Sequence, residues 1–243
     1  MTNKLYGLIL AGGRGERLRP LTNDRPKPMV EIMGIPIIEY QVRWMKSHGI
    51  TDVVFLCGYL GQKIFDHFWD GSNFEITAHY SYEDSPLGRG GAVKKGFSII
   101  PDKISTVLVT NGDVLTNQNL DTMLNFHVTK SSTATVMTVP HPNRYGLVES
   151  DNSGNIIKFS EKGNLPIYIN SGIYFFERSI CDLLPDIGDH ETKTFPELVK
   201  SPKISSFSSN AFWKSIETQK DLSEVADKVK TGKISLKPLN RKC

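Results

Sequence analysis

A chain of 243 residues, 39% hydrophobic and 23% charged, suits one α/β domain with a sizeable core and has the composition of an ordinary globular protein. Twenty-nine Lys and Arg against 26 Asp and Glu leave a formal charge of +3, which suits an anionic small molecule but lacks the clustered basic surface of a nucleic-acid binder. No apolar run reaches membrane-spanning length, no signal-like n- and h-region opens the chain, and Cys57, Cys181 and Cys243 lack metal-ligand or C-x-x-C spacing, so the expected setting is a reducing cytoplasm without membrane partners.

Residues 6–11 form an apolar run with the length of a buried strand, and it stops abruptly at Gly12 and Gly13. Glycines directly after a strand let backbone approach a ligand and leave amide N–H groups free for anionic oxygens. Arg14, Arg17, Arg19, Arg25 and Lys27 follow within fourteen residues, which suggests a polyanion such as a triphosphate. A P-loop is ruled out because no Lys-Ser or Lys-Thr pair closes the glycine spacing. A dinucleotide fingerprint fails because Leu18 stands where a third glycine belongs. A bare G-x-G is more often a turn beside a solvated basic face. Here Pro26 and Pro28 flank Lys27 and predict a stiff, extended segment that holds its ammonium in place.

Ile38, Val42 and Met45 recur at helical spacing over residues 38–48, with Gly49 as the stop, and a second buried strand follows over 52–57. Strand, helix, strand calls for a parallel sheet with a crossover. Cys57 reads as a small buried hydrophobe. A helix over 61–69 and a strand over 76–82 come next. Residues 83–95 then form a second glycine loop, with Pro86, Gly88, Gly90 and Gly91, and helical character from Ala92. Such a helix start can hold an anion or admit a flat ring, although loops before helices are usually only loops. The strand 105–109 runs into Asn111, Gly112 and Asp113. A carboxylate at that end of a parallel strand suits Mg²⁺, and the same residue serves as well as a turn or cap.

A strand over 133–139 precedes a hairpin of residues 147–149 and 156–159 about a polar turn at 151–154. Glu161, Lys162 and, in the strand 168–176, Asn170 could bind sugar hydroxyls and a sugar phosphate or be plain surface residues. A helix begins over 194–199, a strand covers 204–208, and an amphipathic helix covers 222–229. The expected division is a domain over 1–230 and a basic, solvated tail over 231–243.

The run G-G-x-G-x-R-L-x-P-L-T at 12–22, followed by P-K-P-M at 26–29, resembles the signature of the sugar-phosphate nucleotidyltransferases, also called nucleoside-diphosphate-sugar pyrophosphorylases. Further likenesses are E-x-x-P-L-G at 83–88, N-G-D-x-L at 111–115, R-Y-G at 144–146, E-K at 161–162 and N-x-G-I-Y at 170–174. The resemblance spans roughly residues 5–225. It implies a single Rossmann-like α/β domain with a mainly parallel mixed central sheet flanked by helices, and the joining of a sugar 1-phosphate to a nucleotide with release of pyrophosphate. It implies further that Leu10, Ala11, Gly12, Gly13, Arg14, Gly15, Glu83, Gly88 and Asn111 hold the nucleoside triphosphate. Arg17 and Lys27 would bind its phosphates, Asp113 would bind Mg²⁺, and Gly146, Glu161, Lys162 and Asn170 would hold the sugar phosphate.

This chain departs from the family pattern twice. Arg89 and Gly90 stand where Thr-Ala is usual, and Ser215 stands where the family has its second metal aspartate, leaving Ser215 or the nearby Glu217 as replacement ligand. N-G-D-V-L-T and P-N-R-Y-G-L-V look most like guanylyltransferases for mannose 1-phosphate or heptose 1-phosphate. Thymidylyl, uridylyl and cytidylyl relatives share much of the pattern. A weakly active regulatory subunit, a glycosyltransferase (which lacks support because no Asp-x-Asp is present) and a cytidylyltransferase for a phosphoalcohol are the rival readings. Hexapeptide repeats are absent, and a homo-oligomer stays open.

Overall fold

The computed structural model describes residues 4–142, 146–161 and 164–233. Strand β1 (Tyr6–Ala11) is followed by the two-residue strands β2 (Glu31–Ile32) and β3 (Ile35–Pro36) and by helix α1 (Ile37–Ser47). Then come β4 (Asp52–Cys57), α2 (Gln62–Phe68), β5 (Thr77–Tyr82), α3 (Gly88–Phe97), β6 (Thr106–Asn111), β7 (Val114–Thr116) and α4 (Leu120–Lys130). The second half holds β8 (Ala134–Pro142), the hairpin β9 (Leu147–Ser150) and β10 (Ile156–Ser160), β11 (Asn164–Glu177), α5 (His190–Lys200), β12 (Ile204–Ser208), β13 (Trp213–Ser215) and α6 (Gln219–Lys230).

Seven strands form the central sheet in the order β12-β8-β11-β6-β1-β4-β5. All neighbours pair in parallel except β11, which runs antiparallel to both β6 and β8. The mainly parallel mixed α/β sheet expected from the sequence is therefore the one found. Parallel strands are covered on both faces, which is why β1 and β4 read as continuous apolar runs and not as alternating ones. On one face Ile9, Phe55, Leu108 and Phe175 pack against Ile38, Val42 and Met45 of α1. On the other, Leu8, Val54, Val107 and Tyr174 pack against Val93 and Phe97 of α3 and Leu198 of α5. A third cluster joins Leu18, Val30, Ile32, Leu115, Ile216 and Val225, and so ties the glycine loop to β7 and α6.

From β1 the chain winds outward to β4 and β5 on one side, then returns to place β6 on the other side of β1. The order reverses at this pair, and a crevice opens beyond the carboxyl ends of such strands. Leu10 lies opposite Asn111 in the ladder, and the Gly112 N–H donates to the Leu10 carbonyl at 2.8 Å.

Three local expectations change, one being that α5 begins at His190, four residues ahead of the expected 194. Helix α3 begins at Gly88, four residues ahead of the expected Ala92, because the 86–91 glycines are helical and packed. A Cβ on Gly90 would meet the His190 nitrogen at 2.9 Å, and the Gly90 N–H donates to the Gly188 carbonyl at 2.9 Å. Lys27 lies on a single 3-10 turn, Lys27–Met29, and not on an extended segment; Pro28 supplies the fixed φ and is buried.

Candidate functional site

The glycine loop leaves β1 at Gly12. Gly15 adopts φ +63, a left-handed conformation that glycine takes without strain, and its carbonyl accepts a 3.0 Å hydrogen bond from the Thr22 hydroxyl. Burial of Leu18 then anchors the loop to the third cluster. The five cations of this stretch separate. Arg14, Arg17 and Lys27 line the crevice, whereas Arg19, which pairs with Glu16, and Arg25, which pairs with Asp24 and Glu31, do not.

Asp113 occupies the turn between β6 and β7. Gln41 of α1, 2% exposed, donates its amide to the carbonyl of Asn111 at 2.7 Å and to that of Val114 at 2.6 Å, clipping both ends of that turn. Strand β13 pairs with β7 so that Ser215 faces Val114, and the Ile216 N–H donates to the Asp113 carbonyl at 2.9 Å. This register brings Glu217 beside Lys27 and Asp113. Lys27 Nζ lies 2.5 Å from Asp113 Oδ2 and 3.3 Å from Glu217 Oε2. Glu217 also pairs with Arg17 at 2.5 Å and accepts from the Ser215 hydroxyl at 3.0 Å. Asp221 holds the approach to Glu217: its Oδ2 accepts from the N–H groups of Glu217 and Thr218 at 3.0 and 2.8 Å, closing a capping box at the start of α6. Burial works against the charged form of Asp221, but the Lys214 ammonium and the Thr218 hydrogen bonds prevail and hold its carboxyl down at about 2.

Two cavities meet here. One, of about 720 Å³, is lined by Leu10, Ala11, Gly12, Gly13, Arg14, Gly15, Glu83 and Gly88 together with Arg17, Lys27, Asn111 and Asp113. Every residue expected to hold the triphosphate therefore borders one space. Glu83 is set by accepting the Leu87 N–H at 2.9 Å, and it leans over Gly12, where a Cβ would meet its Oε1 at 2.8 Å. The second cavity, of about 940 Å³, is lined by Asn170, Ser171, Gly172, Glu191, Trp213 and Ser215 among others. Arg17, Arg89, Asn111 and Glu217 line both.

On the wall of the second cavity, Asn170 Nδ2 donates to the Tyr174 hydroxyl and to Glu191 Oε1, both at 3.0 Å, and its Oδ1 accepts from the Gly172 N–H at 2.9 Å. Tyr174 donates its hydroxyl to Glu191 at 2.7 Å, and burial above all keeps that phenol protonated far above its ordinary range. Arg89 grips Glu191 in a fork, 2.6 and 2.9 Å, and donates its Nε to Asp189 at 2.7 Å. Between these two acids, His190 is packed among Tyr174, Phe176 and Phe195, and burial lowers it to about 4, so it is neutral at pH 7. Gly146 and Glu161 are exposed beside the β9–β10 hairpin and line neither cavity. Lys162 lies outside the described residues, as do 234–243 of the expected tail.

Sequence reasoning missed Gln41, the Arg89–Asp189–Glu191 group and the clamp by Asp221. Gln41 sits inside an apolar helical stripe, where a polar residue is itself a signal. For the acids, nothing in the local pattern shows that residues a hundred positions apart meet.

Oxygen donors such as Asp113, Glu217 and the Ser215 hydroxyl fit a hard divalent cation. Among the described residues no group of three or more His, Cys, Asp or Glu stands ready for a metal. No helix among the described residues is long and apolar enough to cross a membrane.

Comparison with known proteins agrees with this geometry. A model of the family described as nucleotidyl transferase matches residues 6–232. A UTP–glucose-1-phosphate uridylyltransferase of Synechocystis sp. is 33% identical over 81% of this chain and 56% of its own length. A mannose-1-phosphate guanylyltransferase of Mycobacterium tuberculosis is 32% identical over 90% of this chain and 63% of its own length. The chain thus spans about three fifths of the curated relatives it matches. The solved structure of HddC from Yersinia pseudotuberculosis complexed with GMP-PN superposes with a TM-score of 0.70 at 25% identity, covering 92% of this chain and 98% of that one.

Proposed function

Because this chain belongs to the nucleotidyl transferase family, we propose that it joins a sugar 1-phosphate to the nucleoside monophosphate part of a nucleoside triphosphate and releases pyrophosphate. A phosphate oxygen of the sugar 1-phosphate attacks the α-phosphorus; the new P–O bond forms as the bond to the β-phosphate bridging oxygen breaks, and pyrophosphate leaves with that electron pair. The observation that carries this reading is the convergence of Arg17, Lys27 and Asp113 in the cavity edged by the glycine loop, with Arg17 and Glu217, to which Arg17 and Lys27 pair, also lining the cavity edged by Asn170. No covalent nucleophile is needed, since such a transfer depends on alignment and on neutralising charge.

In this reading the backbone of residues 12–15 cradles the triphosphate, Arg14 and Arg17 neutralise it, and Lys27 leaves its carboxylate partners to bind phosphate oxygens. Asp113, with Glu217 in place of the usual second aspartate, would hold Mg²⁺, which would neutralise phosphate charge during the transfer. Glu83, Pro86 and Gly88 border the place of the base. Asn170 and, from the sequence, Gly146, Glu161 and Lys162 are assigned to the sugar phosphate, the triphosphate and sugar 1-phosphate being the chain's partners.

We assign GTP and mannose 1-phosphate or heptose 1-phosphate as substrates. The N-G-D-V-L-T run, the mannose-1-phosphate guanylyltransferase relatives and the HddC neighbour with its guanine nucleotide support this choice. Uridylyl transfer is the second reading, favoured by the Synechocystis relative. A panel of GTP, UTP, dTTP and CTP crossed with mannose, heptose and glucose 1-phosphates, followed by pyrophosphate release with and without Mg²⁺, separates them. Absence of metal-dependent turnover with every pair defeats the enzyme reading and leaves a nucleotide-sugar-binding subunit.

A further inference from the structure

We propose that Arg89 determines access of the anionic acceptor: it neutralises Glu191 on the wall of the sugar cavity, and the neighbouring Asp189, so that a sugar phosphate can approach. This inference rests on the acceptor named above. Arg89 stands on the first turn of α3, where it borders both cavities. Asp189 and Glu191 stand at the start of α5, and Glu191 lines the sugar cavity.

The side chains of Arg89, Asp189 and Glu191 are 38, 28 and 25% exposed, so their charges are only partly screened by water. One guanidinium serves both acids. It meets Glu191 through a two-pronged fork and Asp189 through Nε, while Glu191 Oε1 also accepts from Tyr174 and Asn170. The cluster carries a net single negative charge with Arg89 present. Without it, the unneutralised Glu191 carboxylate would face a dianionic phosphate, and Asp189, two residues before it, would add its charge to the field.

The backbone around this group is fixed independently. Gly90 N–H donates to the Gly188 carbonyl at 2.9 Å, and Gly188 N–H donates to the Leu87 carbonyl at 2.8 Å. Loss of the arginine therefore exposes charge without unfastening α3 from α5. A role of this kind differs from that of Arg14 or Lys27. Arg89 already has its charge spent within the protein, and it acts on the substrate by removing repulsion.

The test compares wild type, Arg89→Ala, Arg89→Lys and Arg89→Ala combined with Glu191→Gln, all as the full chain. Mannose 1-phosphate binding is followed by titration calorimetry at about 20 and about 200 mM salt, beside pyrophosphate release with GTP. Arg89→Ala is expected to weaken sugar-phosphate binding and raise its KM about tenfold at low salt, and to change kcat less than about threefold. High salt and the added Glu191→Gln each recover most of that loss, and Arg89→Lys recovers part of it. A loss through misfolding would respond to neither salt nor charge removal. Arg89→Ala binding the sugar phosphate as wild type does, or a loss that salt and Glu191→Gln leave in place, overturns the inference. Arg89-dependent binding without pyrophosphate release would sustain the inference and overturn the proposed reaction. A wild type that binds no sugar 1-phosphate overturns both.

Discussion

Lys27 Nζ sits 2.5 Å from Asp113 Oδ2, and the same ammonium reaches Glu217 Oε2 at 3.3 Å, so one cation fills the space between two carboxylates that are far apart in the chain. Under the proposed function, the charge assigned to phosphate and the charges assigned to the metal satisfy one another before substrate arrives. Triphosphate would draw Lys27 away, and a divalent cation would then relieve the carboxylates left behind. Nucleotide and metal should therefore promote each other's binding.

Lys27→Met keeps much of the side chain's volume and removes the charge. It should cut pyrophosphate release by about 10² to 10³, the scale of losing one preorganised group that stabilises the reacting phosphates. Circular dichroism checks that the fold is kept. A variant within threefold of wild type would remove Lys27 from the reaction.

Glu217→Gln should raise the Mg²⁺ concentration needed for half-maximal turnover about tenfold, with Asp113→Asn more severe and chelation by EDTA abolishing release. Equal Mg²⁺ dependence in Glu217→Gln and wild type would leave Asp113 as the sole carboxylate ligand.

Gln41→Leu strips the Asn111 and Val114 carbonyls of their buried donor. The expected cost is about 1–3 kcal/mol for the unsatisfied acceptors, read from urea denaturation. Because Asp113 rides on that turn, Mn²⁺ affinity measured by electron paramagnetic resonance should fall as well. Stability loss with unchanged Mn²⁺ affinity would make Gln41 purely structural.

Gly172 has φ +75, and a Cβ there would overlap the Asn111 amide. Gly172→Ala should cost about 1–2 kcal/mol and displace Asn111 from the junction of the cavities. Lowered thermal stability together with a raised KM for both substrates is the expected result; an unchanged KM would show that Asn111 is not needed where it stands.

Asp221 supplies a pH signature. Its folded carboxyl is held near 2, below the ordinary unfolded value of about 3.9, so its stabilisation is complete above about pH 4 and fades as pH falls toward 2. Asp221→Asn should be less stable than wild type by about 1 kcal/mol at pH 7, and the gap should close between about pH 4 and pH 2. Denaturation at pH 7, 4, 3 and 2 measures this. A gap that persists at pH 2 would mean the capping box works through shape and not charge.

How legible this molecule is from its sequence follows from how local each feature is. Strand β4 is found at residues 52–57 as expected, since five consecutive apolar residues between Asp52 and Gly58 carry their own signal. Asn111 and Asp113 are readable because the end of a parallel strand is a defined place. Helix α4 escapes notice: Leu120 and Met123 are its main buried apolar residues, although Asn119, whose Oδ1 accepts the Thr122 N–H at 3.0 Å, marks its start. The junction of the cavities depends on contacts such as Lys27 with Glu217 and Arg89 with Glu191. Such long-range pairs are set by sheet order, which no window of residues contains.

Strand β11 runs against every neighbour in an otherwise parallel sheet, and its middle, not its tip, delivers Asn170 and Gly172 to the second cavity. The residues proposed to grip phosphates hang on β1 and β6, whereas the wall proposed for the acceptor is drawn from this reversed ribbon, β8 and the stretch 209–215. Under that proposal, a lineage trades one monosaccharide for another by rewriting the second half of the chain, while the glycine loop that holds the triphosphate is inherited intact.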